Sequence, residues 1–226
     1  MLAVLGVMVV AGGWSCATTK RATVNEAVAC PFLGPTLCAK LTPGTDKELG
    51  VRYVNPNADW TQYSKVMVAP VTFWAGDDSS VSASDQQALT NYFYQALREQ
   101  MATQFPVVDQ PGSGVMLLQV AIDDAQAAVP VLRTISILVP QAHPLDALKY
   151  LATGTYPFAG QAQVEGKITD SMTGKLLGAA VVRRIGGNTV KAADQWQWGD
   201  VQNAMNTWAR HLAERLHAAT SGQTLP

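Results

Sequence analysis

The chain is short of charge. Of its 226 residues only 15% are Asp, Glu, Lys or Arg, against about 25% in an average soluble protein, and its 16 basic and 17 acidic side chains form no blocks. A nucleic-acid binder gathers basic residues into a patch that neutralises phosphates, so that class is excluded. An uncharged surface also suits a protein that is partly covered by a partner or a membrane. Histidine is scarce as well, with three in all. His211 and His217 fall six residues apart in a helical stretch, about 240° around the axis, so one face cannot offer both to a metal. His211 and Glu214 share a face but supply two ligands where a closed site needs about four, and His143 lies between Pro140 and Pro144. No G-x-S-x-G elbow and no dinucleotide glycine fingerprint occurs. The "TGKL" at Thr173 lacks the first glycine of a phosphate loop, whose place Thr169 takes. Asp77–Asp78 and Asp123–Asp124 are adjacent pairs, and neighbours on a strand point to opposite faces, so we read them as strand ends and loop. Nothing here forms a catalytic constellation, and the expectation is a protein that is not an enzyme. No apolar run reaches the roughly 20 residues of a membrane-spanning helix.

What is present begins with "MLAVLGVMVVAGGWSCATTK". The apolar run Leu2 to Ala11 has the length of a signal-peptide core, about 7 to 15 residues followed by small ones. Cys16, preceded by Ser15 and followed by Ala17, resembles the bacterial lipoprotein signal, in which cleavage falls just before a cysteine that carries diacylglycerol. Residues 1–15 are therefore left out of the fold. Ala17, where an aspartate would retain the protein at the inner membrane, resembles the sorting pattern for the outer membrane. With Cys16 lipidated, Cys30 and Cys38 remain as a pair in "CPFLGPTLC". Pro31, Gly34 and Pro35 bend the chain enough for a small disulfide loop in an oxidising periplasm. Two buried thiols are the alternative.

Residues 16–50 read as a lipid-anchored tether that lets the domain stand off the membrane, with a partly ordered middle. The domain proper is 51–220, and 221–226 a frayed tail. "KVMVAPVTFW" (65–74) has the pattern of a strand buried on both faces. Ser84 and Gln87 have capping-box spacing ahead of a stripe of Leu89, Tyr92, Phe93, Ala96, Leu97 and Met101. "VMLLQVAIDDAQA" is a long apolar strand. "GQAQVEGKITD" alternates, with Gln161, Gln163, Glu165, Lys167 and Thr169 on what we read as a solvated face. "DSMTGK" turns the chain, Asp170 binding backbone amides and Gly174 taking a positive φ, and "KLLGAAVVRRI" returns as its hairpin partner. The last helix starts near Asp200 and carries Val201, Met205, Trp208, Leu212 and Leu216. The expected fold is an α/β (α+β) sandwich: a mixed, mainly antiparallel sheet of about five strands with two long helices on one face.

In order and spacing, "FLGPTLCAKLTPG", "RYVNPNADWTQYSKVMVAPVTFW", "VEGKITDSMTGKLLGA" and "DVQNAMNTWARHLAERL" resemble the bacterial lipoprotein family catalogued as domain of unknown function 3313. The resemblance covers roughly residues 31–217. It implies a Gram-negative envelope lipoprotein and no established activity. Its element order is similar to small periplasmic domains of outer-membrane lipoproteins that serve as accessory factors.

Two segments are candidates for binding. Trp196 and Trp198 precede the last helix, where their rings either stack on a glycan or partner protein or cover the end of the core. The insertion 127–158 is long and apolar, broken by Pro130, Pro140, Pro144 and Pro157, with Leu145, Leu148 and Leu151 on one side of a short helix. Such a segment serves as a lid, membrane contact or interface, or folds back as core cover. Glu165, on the supposed wet face, is the candidate for a polar contact, pairing with Lys167 or a cross-strand arginine such as Arg183. The leading expectation is a non-catalytic lipoprotein anchored through Cys16 in the outer membrane and facing the periplasm, with an envelope protein or peptidoglycan as partner and no cofactor beyond the lipid. The second is a carrier for a lipid or other apolar ligand under the insertion. A hydrolase is the third, with no residue in its favour.

Overall fold

A computed structural model describes residues 20–21, 30–44, 50–74, 81–126, 161–185 and 199–223. Its centre is three long strands that pair antiparallel in the order of the chain: β6 (Val115–Gln126), β7 (Gln161–Asp170) and β8 (Leu176–Ile185). The β7–β8 turn forms as its residues dictate. Asp170 Oδ1 accepts from the amides of Met172 and Thr173 at 3.0 and 2.7 Å, and Gly174 sits at φ 70°, where a side chain would be strained.

Shorter strands extend this centre on both sides. They are β1 (Lys20–Arg21), β2 (Thr42–Pro43), β3 (Val51–Val54), β4 (Lys65–Val68) and β5 (Thr72–Phe73). The order across the open sheet is β2-β3-β8-β7-β6-β4, with β1 also on β8 and β5 also on β6. Only β4 and β5 run parallel to their neighbour β6. A parallel pair needs a crossover, which α2 (Ala83–Ala102) supplies; α1 is the short turn Pro35–Cys38, and α3 (Gly199–Thr220) closes the domain.

Both long helices lie on one face. Leu89, Phe93, Ala96, Leu97 and Met101 of α2 and Val201, Met205, Trp208, Ala209 and Leu216 of α3 join Val66, Val68, Met116, Leu118, Val120, Ile122, Val164, Ile168 and Val182 of the sheet in one buried cluster. Each large aliphatic or aromatic side chain so buried contributes roughly 1.5–3 kcal/mol relative to exposure. Contacts between the helices advance together along both: Tyr92 with Asn206 (2.8 Å), Phe93 with Trp208 (6.1 Å between rings), and Phe105, just past α2, with His217 (6.2 Å). The helices therefore run in the same direction. This is the expected α+β architecture, with more strands than expected because three of them are only two residues long.

Several local expectations are corrected. Residues 65–74 are not one strand buried on both faces. Pro70 lacks an amide for the ladder and splits the segment into β4 and β5 on the edge, leaving Lys65 and Thr72 exposed and Trp74 46% exposed. The α2 cap is Ser82, two residues earlier than Ser84: its Oγ accepts from the Asp85 amide at 3.2 Å and donates to the Asp85 carboxylate at 2.9 Å. Ser82 and Asp85 also stand three apart, and the Asp85 carboxylate adds a charge in the first turn that favours the helix start. Asp123 and Asp124 do not end β6, which continues to Gln126; the ladder shifts register between Ile122 and Asp124, and Asp123 Oδ2 accepts from Gln163 Nε2 at 2.8 Å. Finally, residues 30–44 do not stand off from the domain. They pack on the sheet face opposite the helices.

Candidate functional site

The face expected to be wet is closed by the cysteine loop. Cys30 and Cys38 are joined by a disulfide, with Cα atoms 5.8 Å apart. Inside the loop Gly34 takes φ 76°, its amide donates to Cys30 O at 2.8 Å, and Pro35 opens the one-turn helix α1. That geometry leaves the amides of Phe32 and Leu33 pointing at the sheet. Glu165 receives them: Leu33 N donates to Oε2 at 2.8 Å and Phe32 N to Oε1 at 3.3 Å.

Glu165 is 0% exposed. In the sheet its row neighbours are Ala121 on β6 and Val181 on β8, both buried and neither able to share its charge. The backbone amides supply the charge-assisted hydrogen bonds that a buried carboxylate requires. The expected pairing with Lys167 does not occur. Lys167 Nζ instead stands 4.9 Å from the centre of the Phe32 ring, a cation–π contact, and Trp74 meets the same ring edge-on at 5.9 Å. Leu33 and Cys30 complete a second small core with Ala179 and Val181. Arg183, the other proposed partner, belongs to a stretch of β8 whose side chains lie outside the described residues. The carboxylate therefore clamps a loop, and no nucleophile or second acid faces it among the described residues.

A second polar cluster fastens the far end of the β7–β8 hairpin. Asp170 Oδ2 accepts from the Tyr63 hydroxyl at 3.1 Å. The Thr173 amide, with help from the Thr173 and Tyr63 hydroxyls and the Met172 amide, holds the Asp170 carboxyl below its ordinary range. Burial, reinforced by the Asp170 hydrogen bond, pushes the Tyr63 hydroxyl up to about 12. This arrangement anchors the β7–β8 turn to the segment that holds Tyr63.

On the helix face the sheet is under-filled. Gly166, Gly178 and Ala180 lie side by side there, and α3 bridges over them. The result is a half-open cleft of about 150 Å³ floored by Phe93, Leu97, Leu118 and Val164. Trp60 and Trp208 stand on its flanks, and Arg52, His211, Leu212 and Arg215 line it too.

The remaining expected site residues, Cys16, Leu145, Leu148, Leu151, Trp196 and Trp198, lie outside the described residues, as do His143 and Asp77–Asp78. Glu214 pairs with Arg210 at 3.5 Å on α3. Among the described residues no group of three or more His, Cys, Asp or Glu side chains can hold a metal, and no helix is long and apolar enough to cross a membrane. No cofactor-binding family is indicated.

The family model for proteins of unknown function, DUF3313, matches residues 31–212, from the clamped loop to the middle of α3. The chain belongs to the DUF3313 family. No curated protein matches it. Among solved structures, the PelC dodecamer from Paraburkholderia phytofirmans is 9% identical, with a TM-score of 0.38 over 70% of this chain and 94% of that one. Protein XCC0632 from Xanthomonas campestris is 11% identical with a TM-score of 0.43, covering 75% and 93%. Lipoprotein GNA1162 from Neisseria meningitidis is 9% identical with a TM-score of 0.33, covering 68% and 97%. At these identities the likenesses assign no activity to this DUF3313 chain.

Proposed function

We propose that this DUF3313 protein is a non-catalytic lipoprotein of the cell envelope, carried by a diacylglyceryl group on Cys16, held in the outer membrane facing the periplasm, and serving as a binding accessory for another envelope component. The observation that carries the reading is the register of β1: Lys20 pairs with Ile185 and Arg21 with Arg184. Cys16 is four residues before Lys20, and four extended residues reach at most about 14 Å. Ile185 pairs with Gln161 and Gln161 with Gln126, so one row at one end of the sheet holds the entry from the anchor, the start of β7 and the end of β6. Residues 127–160 and 186–198, which contain the expected contact residues Leu145, Leu148, Leu151, Trp196 and Trp198, connect to that same end. A lipid on Cys16 would bring this end to the bilayer and present both segments beside it. The Asp170 hairpin, ten strand residues and about 30 Å away, would face the periplasm. The Cys30–Cys38 bond fits an oxidising compartment.

The test is an intact mass from a Gram-negative membrane fraction, beside a Cys16→Ser variant. A chain that begins at Cys16 with added acyl mass, and a variant released from the membrane, are the expected results. An unmodified chain in the membrane rejects the anchor. Orientation is tested with a label at Met172→Cys, 67% exposed on the hairpin, against one at Gln126→Cys, using a quencher carried on the lipid. Quenching should strike residue 126 and spare 172; equal quenching rejects the orientation. Deleting residues 130–155 should leave a folded domain that no longer captures its envelope partner.

A further inference from the structure

The cleft on the helix face owes its place to register. Gly166 stands opposite Ala180, and Ile168 opposite Gly178, so two adjacent rows of the sheet reach positions with almost no side chain under α3. The Trp60 ring flanks the space, 3.7 Å from where a Gly178 side chain would begin. The floor is apolar: Phe93, Leu97 and Leu118 are each 1% exposed. Glu165, the one acid among the described lining residues, turns its carboxylate to the opposite face, where it accepts from Phe32 and Leu33. Arg52, His211 and Arg215 also line the cleft, but each is already engaged in an interaction of its own. The described lining therefore offers no free charge to select an ion. One polar group of the walls is unmatched. Trp208 is 7% exposed, and its indole Nε1–H is buried with no acceptor among the described residues. An indole nitrogen can only donate, and buried donors in native proteins are nearly always paired.

We propose that this cleft binds a small uncharged molecule with an apolar body and one acceptor oxygen, that of a ketone, ester or ether, which takes the Trp208 N–H. Three features select that ligand. An apolar space of about 150 Å³ admits a solute about the size of benzene, so the body is one small ring or the end of one chain, seated over Gly166 and Ala180. An ion placed against these apolar walls would lose its hydration without gaining a partner, which excludes a charged group. The single unpaired donor calls for a single acceptor, and the hydrogen bond it forms offsets the cost of taking that oxygen out of water. The site is independent of the anchor and lies on described elements outside the 127–158 insertion, so loss of one reading leaves the other standing.

The experiment uses the mature chain carrying Cys16→Ser, so that no covalent acyl chain competes. It is titrated with cyclohexanone and with methylcyclohexane, a ligand of similar shape in which a methyl replaces the oxygen. The Trp208 indole proton is followed by NMR and identified by its absence from Trp208→Phe. Both ligands should bind saturably, and cyclohexanone alone should move that proton downfield, as an N–H does on gaining an acceptor. Filling the cleft with Ala180→Leu should abolish binding of both. Should that variant fail to fold, Gly166→Ala decides: its added methyl meets Val120 at an ordinary 3.7 Å without backbone strain and should weaken binding several-fold. Trp208→Phe should lower the affinity for cyclohexanone several-fold relative to that for methylcyclohexane. The proposal is overturned by the absence of saturable cyclohexanone binding, by an equal indole shift with both ligands, or by affinity that survives Ala180→Leu and Gly166→Ala intact.

Discussion

Removing the carboxylate of Glu165 should release the disulfide loop while the rest of the sheet stays folded. The magnitude follows from two hydrogen bonds. The Leu33 amide is buried and donates at 2.8 Å to a charged acceptor, an interaction worth about 1.5–3 kcal/mol whose loss strands a donor away from water. The Phe32 amide, at 3.3 Å and half-buried, is easier to rehydrate and adds about 1 kcal/mol or less. Glu165→Ala should therefore cost about 3 kcal/mol. Glu165→Gln keeps one acceptor oxygen but turns an NH2 group toward the other amide, so about half that loss is expected. In urea, with m near 3 kcal/mol/M, the Ala variant should unfold at a midpoint about 1 M lower. Hydrogen exchange provides the local check: protection at Leu33 should fall about 100-fold in Glu165→Ala, while the amide of Ile168, further along β7, keeps its own. Unchanged protection at Leu33 together with an unchanged midpoint would refute the clamp.

Reduction of Cys30–Cys38, which closes a loop with a sequence separation of 8, should cost about 2.5 kcal/mol by chain entropy; combined with Glu165→Ala the loss should be clearly less than additive in a double-mutant cycle, because both hold the same loop. Asp170 has a lowered folded pKa, so its contribution is present above the ordinary 3.8 and disappears as pH falls through the folded value. Asp170→Asn, which keeps an acceptor for the turn amides, should flatten that acid limb of a urea-midpoint profile. Tyr63 is the opposite case: its contribution is complete below pH 10 and is lost as pH rises toward about 12, a decline that Tyr63→Phe should remove. Gly174→Ala should cost about 1 kcal/mol in the melting curve through its left-handed φ of 70°, since nothing lies within 4 Å of the added methyl.

The elements that could be read from sequence are those whose information is local. The stripes of α2 and α3, the β7–β8 hairpin and its Asp170–Gly174 turn each announce themselves within about 20 residues, and each forms. The single-file alternation of Glu165 and Lys167 was equally legible but incomplete, because alternation says which side chains share a face and nothing about what covers it. The cover comes from residue 33, 132 positions away, with no charge and no periodicity to mark it. A signal was available in the composition of that face: Ala121, Ala179 and Val181 surround Glu165 with side chains that neither pair with it nor need water. The cleft was hidden for a similar reason. Gly166, Gly178 and Ala180 look unremarkable along the chain and make a void only when register sets them side by side.

The two faces of this sheet are finished by different means, and that difference bears on how an anchored domain would carry load. The helix face is covered, apart from the cleft over Gly166 and Ala180, by apolar area gathered from two long helices, while the opposite face is covered by a nine-residue disulfide loop held through one carboxylate. With Cys16 as the anchor, force applied by a bound partner would enter the fold at β1, paired with β8 through only two residues, and would meet the clamped loop next along the chain. A free tether would leave the domain's orientation to diffusion. Attachment at β1, backed by a cross-linked loop docked on Glu165, would instead fix which end of the sheet faces the bilayer. On this argument weakening the clamp should broaden the domain's orientation on vesicles at conditions where it is still folded, so Glu165→Gln should narrow the difference in lipid quenching between labels at residues 126 and 172. An unaltered difference would confine the clamp to stability.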